Sequence, residues 1–167
     1  MTTAPSALSW DIAPAAVDSA EAAAVLRAYT TEMADRYYGR PATAAEVDAA
    51  LAEDPSDDLV PPHGVFLLAR SGGRVAGCVG VRRLDAATAE VKRLFVHPGA
   101  RGAGGGARLL AGAEAAARGL GARAVRLDTR HDLVEARALY AREGYAEIAP
   151  YNAGPYAEHW FEKRLTG

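Results

Sequence analysis

One segment decides the fold of this chain: residues 90–110, which read EVKRLFVHPGARGAGGGARLL. Residues 89–96 predict a strand, and apolar residues at helical spacing from Leu109 to Leu120 predict a helix that ends near Gly121. Between them lies a glycine-rich loop, residues 101–106. Glycines allow backbone N–H groups to converge on an anion, and the following helix N-terminus adds partial positive charge. The segment therefore predicts a pyrophosphate-binding loop.

Three specific interpretations of this glycine-rich loop are a P-loop, a dinucleotide-binding loop and a loop without a ligand. A P-loop needs Lys-Ser or Lys-Thr after its glycines, and none follows here. A dinucleotide fingerprint matches Gly102-x-Gly104-x-x-Ala107, with Asp128 near a later strand end. Its glycines, however, turn directly off a strand, whereas here residues 97–101 intervene. A flexible loop without a ligand is the third interpretation.

Local signals predict the elements around this segment. Sequence patterns of the capping-box type predict helices that run to about residues 37, 52 and 142; they are Asp18-x-x-Glu21, Thr43-x-x-Glu46 and Asp132-x-x-Glu135. Residues 71–74 predict a hairpin turn between strands at 65–69 and 75–81. Further strands are expected at 124–128 and around 144–149 and 158–165. This order predicts a mixed α/β fold around one sheet, with at least one parallel pair.

Composition excludes several classes of function. A chain of 167 residues predicts a single domain spanning residues 1–167. A net charge of −2 without blocks of like charge gives no reason to expect a nucleic-acid or membrane partner. The lone Cys78 excludes a disulfide framework, and the four histidines lack metal-ligand spacing, so no metal is expected. No secretory leader is readable in the first residues, which predicts a cytoplasmic protein.

Two motifs together resemble one known family. Arg101-x-x-Gly104-x-Gly106 matches the R-x-x-G-x-G/A core of the GNAT superfamily of N-acetyltransferases. Residues 135–147, EARALYAREGYAE, resemble that family's A-x-x-L-Y-x-x-x-G-F/Y segment. The motifs occur in the family's order, and the resemblance is weakest across residues 1–60. The chain is thus similar to small bacterial GNAT enzymes.

This resemblance implies a fold and a cosubstrate. The fold is a mixed α/β domain (α+β) with a central, mostly antiparallel sheet of about seven strands, splayed in the middle and flanked by about four helices. Acetyl-CoA would lie between the fourth strand, residues 89–96, and the fifth, residues 124–128. Leu133 departs from the pattern, since many members have an asparagine there. The implied acetyl-CoA-binding residues are Leu94, Phe95, Val96, Arg101, Gly102, Ala103, Gly104, Gly105, Gly106, Ala107 and Tyr140.

The resemblance also implies catalytic roles. A bulge at the end of the fourth strand would expose the amide of Phe95 or Val96 to the thioester oxygen. Tyr140 matches the tyrosine that protonates the leaving thiolate, and Glu90 is the candidate base that deprotonates the acceptor amine. Glu90 has a second interpretation, as a cross-strand partner of an arginine, either Arg93 or Arg82. Cys78 lies among small apolar residues, which favours a buried structural role over an acetyl-enzyme.

The acceptor is predicted to be a primary amine of a small molecule, attacking acetyl-CoA directly and leaving coenzyme A. Candidate acceptor-binding residues come from the first helix and the C-terminal segment; they are Tyr29, Arg36, Asn152, Tyr156 and His159, with His159 an alternative base. A protein-lysine or N-terminal acetyltransferase and a non-catalytic acyl-CoA-binding module are the alternative functions. A homodimer is a further expectation, since dimers are common in the family.

Overall fold

The computed structural model describes residues 9–166, arranged as one seven-stranded sheet with four α-helices. Residues 1–8 and Gly167 lie outside the described residues. The prediction about a secretory leader concerns the first of these segments and therefore also lies outside them. The strands are β1 Trp10–Pro14, β2 Gly64–Ser71, β3 Arg74–Arg83, β4 Thr88–Val96, β5 Ala124–Thr129, β6 Ala146–Ile148 and β7 His159–Arg164. The helices are α1 Ala20–Tyr38, α2 Ala44–Glu53, α3 Gly105–Gly119 and α4 Val134–Arg142. Within residues 9–166, none of these helices is long and apolar enough to cross a membrane.

The sheet order explains how a central opening arises. The strands run β1-β2-β3-β4-β5-β7-β6, and every neighbouring pair is antiparallel except β4 and β5. The parallel pair is joined only from Thr88↔Ala124 to Glu90↔Arg126, although both strands continue further. Beyond this point β4 and β5 diverge. The predicted mixed α/β fold, with a mostly antiparallel sheet splayed in the middle, is therefore confirmed.

Two apolar clusters hold helices on opposite faces of the sheet. Alternation along β3 sends Val79 and Val81 to one cluster and Cys78 to the other. Val79 and Val81 lie in the cluster that contains Leu109 of α3, and Cys78 lies with Val25 of α1. Burial of a side chain such as Leu109 contributes about 1.5–3 kcal/mol, so packing fixes α3 on the sheet. The glycine-rich loop consequently enters α3 beside the divergent ends of β4 and β5.

Only one of the predicted capping boxes forms. At α2, the Thr43 hydroxyl accepts from the Glu46 amide at 3.1 Å, and Glu46 accepts from the Thr43 amide at 2.9 Å. At α1, the cap is Ser19, whose Oγ accepts from the Ala22 amide, so the prediction of Asp18 is wrong by one residue. Asp18 is not the N-cap because Ser19 has the extended backbone conformation of an N-cap, and the helix begins at the next residue, Ala20.

The predicted cap at Asp132 is also wrong. Helix α4 follows Leu133 without a side-chain cap. Asp132 instead accepts two hydrogen bonds at 2.9 Å from the guanidinium of Arg130. Two charge-assisted bonds in parallel are stronger than a single bond to a backbone amide, which explains the difference. The predicted hairpin turn does form, with φ of 59° at Gly72 and 79° at Gly73, as a turn with two left-handed residues requires.

Candidate active site

A β-bulge interrupts β4 beside the opening. Pairing with β3 shifts between Lys92↔Gly80 and Phe95↔Cys78, so that Arg93 and Leu94 oppose one residue. Arg93 has a φ of 60°, the left-handed conformation that such a bulge can adopt. The predicted bulge is therefore present, and its extra residue lies at Arg93–Leu94.

The ladder after the bulge orients the Val96 amide. The His97 amide donates to the Ala76 carbonyl at 2.8 Å, and Val96 pairs with Gly77 in the next register position. Because antiparallel pairs alternate between bonded and non-bonded, the N–H and C=O of Val96 point away from β3. They face the side on which β5 has diverged. The Val96 carbonyl accepts from Nε of Arg101 at 2.9 Å.

Glycine is required at the positions of this loop for two different structural reasons. Gly102 and Gly104 adopt φ of 80° and 81°, a conformation that other residues rarely take. Gly105 and Gly106 instead allow close packing: a Cβ on Gly105 would lie 2.5 Å from the Trp10 ring. A Cβ on Gly106 would lie 2.9 Å from the side chain of Leu139. Helix α3 thus begins with small residues whose amides are not screened by side chains.

Arg101 carries the formal positive charge of this loop. Its Nη2 atom lies 2.8 Å from both carboxylate oxygens of Glu32 on α1. Together with its bond to the Val96 carbonyl, this pair holds the guanidinium at the junction of α1, β4 and the loop. Free amides at a helix N-terminus beside an arginine suit a pyrophosphate, so these residues fit the phosphate portion of acetyl-CoA.

A cavity of about 900 Å³ occupies the opening between β4 and β5. Its volume suits a ligand with an extended arm and a second, smaller ligand. Its walls come from α1, α2, β3, β4, the glycine-rich loop, β5, α4 and the segment 152–157. All but Ala103 of the predicted acetyl-CoA-binding residues line it, namely Leu94, Phe95, Val96, Arg101, Gly102, Gly104, Gly105, Gly106, Ala107 and Tyr140.

Tyr140 lies on the α4 wall of this cavity and is only 6% exposed. Its ring packs against Tyr145 and Phe161, at centroid distances of 5.9 and 5.7 Å. Burial raises the pKa of the phenol above its ordinary value, and the nearby Tyr29 and Asp128 raise it further. The hydroxyl therefore stays protonated throughout the neutral range, so that it acts as a hydrogen-bond donor there.

Glu90 also lines the cavity, but its carboxylate is fully engaged. The side chain is 3% exposed. Its Oε1 accepts from Arg82 at 2.9 Å, and its Oε2 accepts from the Tyr151 hydroxyl at 2.7 Å. Arg82 is its cross-strand neighbour, one of the two partners considered from sequence. Desolvation of the phenol raises the pKa of Tyr151, and the negative charge of Glu90 raises it further.

The predicted acceptor-binding residues divide into two groups. Tyr29, Asn152 and Tyr156 line the cavity. Arg36 and His159 do not appear on its wall: Arg36 is ion-paired with Glu135, and His159 bonds to Glu147 and stacks on His131. For these two residues the acceptor-binding role stays a prediction.

Asp128 is a cavity residue that sequence reasoning did not assign to this site. It lies on β5, two positions beyond the last residue paired with β4. Desolvation raises the pKa of its carboxyl, and the charge of Glu90 adds to this effect against the hydrogen bond from Asn152. A polar residue at the carboxyl end of a parallel strand was the available signal, because ligands bind at such ends.

Comparison with known proteins agrees with this geometry. The sequence model of the acetyltransferase (GNAT) family matches residues 26–145. The chain belongs to this family. As a GNAT enzyme it is an acyltransferase, and acetyl-CoA is its cosubstrate.

Individual GNAT relatives resemble different shares of the chain. The IAA acetyltransferase of Azospirillum brasilense is 40% identical over 99 residues, which cover 59% of this chain and 63% of that protein, less than two thirds of its length. An uncharacterized N-acetyltransferase of Schizosaccharomyces pombe is 35% identical over 120 residues, 71% of this chain and 73% of the relative. The PaiA N-acetyltransferase of Thermoplasma acidophilum, solved with coenzyme A, has a TM-score of 0.72 at 17% identity, covering 95% and 100% of the two chains. At that identity the likeness concerns the fold.

Proposed function

We propose that this GNAT enzyme, acting as a single domain, transfers the acetyl group of acetyl-CoA to a primary amine of a small molecule by direct attack. One observation carries the proposal. The cavity between β4 and β5 joins the glycine-rich loop on one side to a wall of carboxylates and tyrosines on the other. A thioester and an amine can therefore approach each other within one cavity.

The residues on the acetyl-CoA side fit this reaction. The amides of Gly104–Gly106 at the start of α3 would bind the pyrophosphate beside the Arg101–Glu32 pair. The Val96 N–H, turned away from β3, would donate to the thioester oxygen as negative charge develops there. The protonated Tyr140 hydroxyl would donate to the departing sulfur. When bound, acetyl-CoA supplies the activated acetyl group.

The charges on the acceptor side favour a cation. The cationic side chains of the wall are engaged with carboxylates; the pairs are Arg82–Glu90, Lys92–Asp54, Arg93–Asp54, Arg101–Glu32, Arg130–Asp132 and Arg142–Glu143. Asp128 forms no ion pair within residues 9–166. A protonated amine would complement this carboxylate.

The aromatic residues of the wall support a small acceptor rather than a protein. Tyr29, Tyr37, Tyr38 and Tyr156 all line the cavity, the last three with exposed side chains, and the rings of Tyr37 and Tyr156 meet edge to face at a centroid distance of 5.4 Å. Such side chains suit the burial of most of a small ligand's surface. The name of the Azospirillum relative, IAA acetyltransferase, is consistent with a small-molecule acceptor.

The position of the lone cysteine supports direct attack. Cys78 is fully buried, and its Sγ donates to the Arg93 carbonyl at 3.2 Å. Burial raises the pKa of the thiol to about 12, so that the nucleophilic thiolate is scarce at neutral pH. An acetyl-cysteine intermediate therefore has no support.

The test is a calorimetric titration of the protein with acetyl-CoA, with NADH as the control ligand. We expect binding of acetyl-CoA alone, followed by thiol release in the presence of some members of a primary-amine panel. Acetylation of lysine peptides in preference to free amines would favour the protein-acetyltransferase alternative. Binding without transfer to any amine or peptide would favour the acyl-CoA-binding module. A homodimer stays a prediction.

A further inference from the structure

Asp128 is a carboxylate on the wall of the cavity. It belongs to β5 and lies beyond the end of the β4–β5 pairing, on the wall that also contains Tyr140 and Glu90. Tyr29 of α1 and Tyr140 of α4 line the same cavity as Asp128. The carboxylate therefore shares one cavity with the groups expected on the acceptor side and on the acetyl-CoA side.

The orientation of Asp128 is set by a chain of two hydrogen bonds. Trp160 donates from Nε1 to Oδ1 of Asn152 at 2.9 Å. Because an indole nitrogen can only donate, this bond assigns the oxygen of the amide to Trp160 and its nitrogen to the other side. Nδ2 of Asn152 then donates to Oδ2 of Asp128 at 2.8 Å. One carboxylate oxygen is held, and Oδ1 makes no hydrogen bond to any residue of the described range 9–166.

The surroundings of Asp128 favour proton uptake. Although the Asp128 side chain is open to the cavity, partial desolvation by the surrounding protein raises the pKa of its carboxyl above the ordinary value, and the charge of Glu90 raises it further. The groups that oppose this rise are the Asn152 amide, Lys92 on β4 and Arg82 on β3. A carboxylate with a raised pKa is a better match for a general base at neutral pH.

Glu90, the candidate from sequence, lacks a free oxygen for this role. Arg82 and the Tyr151 hydroxyl occupy its two oxygens, and the side chain is nearly inaccessible. Its fixed charge acts on Asp128 instead. The two carboxylates thus differ in environment, as a base and its electrostatic neighbour do in other active sites.

We propose that Asp128 is the catalytic base that deprotonates the acceptor ammonium, and that Asn152, held by Trp160, is its positioning residue. The inference rests on the proposed function. One proton passes from the ammonium to Asp128, and the neutral nitrogen forms a bond to the acetyl carbon while the C–S bond breaks. The second proton that the nitrogen loses reaches the sulfur through the Tyr140 hydroxyl, which gives one proton and receives one. Asp128 then releases its proton to water.

The test compares an acceptor that needs deprotonation with one that does not. The probes are 2-phenylethylamine and spermidine, which are ammonium ions at neutral pH, and hydroxylamine, which is largely neutral there. We expect Asp128→Asn to lower kcat/KM for the ammonium acceptors by about 10²–10⁴-fold and to leave transfer to hydroxylamine nearly unchanged. The loss should shrink at high pH, as the acceptors become neutral without help.

Further variants separate the roles. Asn152→Ala should change kcat more than KM and move the acidic limb of the pH profile upward, because it removes a bond that lowers the pKa of Asp128. Glu90→Gln should move that limb to lower pH, since the charge that raises the pKa of Asp128 is gone. Asp11→Asn, on the far edge strand β1, is the control for removal of a carboxylate.

Two kinds of failure are distinguishable. If the wild type transfers acetyl groups and Asp128→Asn loses activity equally with all three probes, or loses none, Asp128 is not the base although the proposed function stands. If Glu90→Gln instead loses transfer to the ammonium acceptors while transfer to hydroxylamine is intact, the catalytic base is Glu90. A wild type that binds acetyl-CoA but transfers to none of the probes refutes the proposed function for these amines, and the base assignment with it. Unchanged calorimetric affinity for acetyl-CoA shows that each variant is folded.

Discussion

Replacement of Gly104 by alanine tests whether the backbone of the loop binds the pyrophosphate. Gly104 precedes α3 with a φ of 81°, and an added Cβ would meet no heavy atom within 4 Å. The expected effect is therefore conformational and not steric. A left-handed conformation costs a non-glycine residue about 1–2 kcal/mol.

The loop can avoid that cost by relaxing, because residues 101–104 are exposed. Relaxation would move the first amides of α3 out of alignment. We expect the Kd for acetyl-CoA to rise about 5- to 30-fold, the equivalent of 1–2 kcal/mol, with little change in the Tm. Gly99→Ala is the matched control, since Gly99 lies in the same connection with open space around it and an unstrained φ.

Calorimetry with two ligands completes the assay. S-acetylpantetheine has the thioester but no pyrophosphate, so its affinity should be the same for the wild type and both variants. If Gly104→Ala binds acetyl-CoA as tightly as Gly99→Ala does, the loop backbone is not the pyrophosphate site. Equal weakening of both ligands would place the effect of the substitution elsewhere in the cavity.

Three further predictions concern single side chains. Tyr140→Phe should lower kcat while the calorimetric Kd for acetyl-CoA stays unchanged, and full turnover would remove the hydroxyl from the mechanism. Lys163→Met should lower the free energy of unfolding in urea by about 1–3 kcal/mol, because Glu114, nearly buried, would lose the ammonium at 2.9 Å; an unchanged midpoint would contradict this. Thr43→Ala should cost about 1 kcal/mol in the same assay through loss of the α2 cap, and stability equal to the wild type would argue against the capping box.

Features that depend on neighbouring residues were predictable from the sequence. The capping box at Thr43, the turn at Gly72–Gly73 and the passage from β4 through the glycines into α3 all involve contacts within a few residues. Even there, the caps at α1 and α4 were misplaced. At α4 a competing partner, Arg130, took the carboxylate of Asp132, and a sequence pattern does not rank such partners.

The sequence by itself determined the family, the order of the elements and the loop at which α3 begins, because these depend on the spacing of nearby residues and on the positions of glycines. Only the tertiary structure decided the chemistry of the carboxylates. Glu90 meets Tyr151 across 61 residues of chain, and Asp128 meets Asn152 across 24. Ionic state and free lone pairs depend on such distant partners and on burial, neither of which a single stretch of sequence contains.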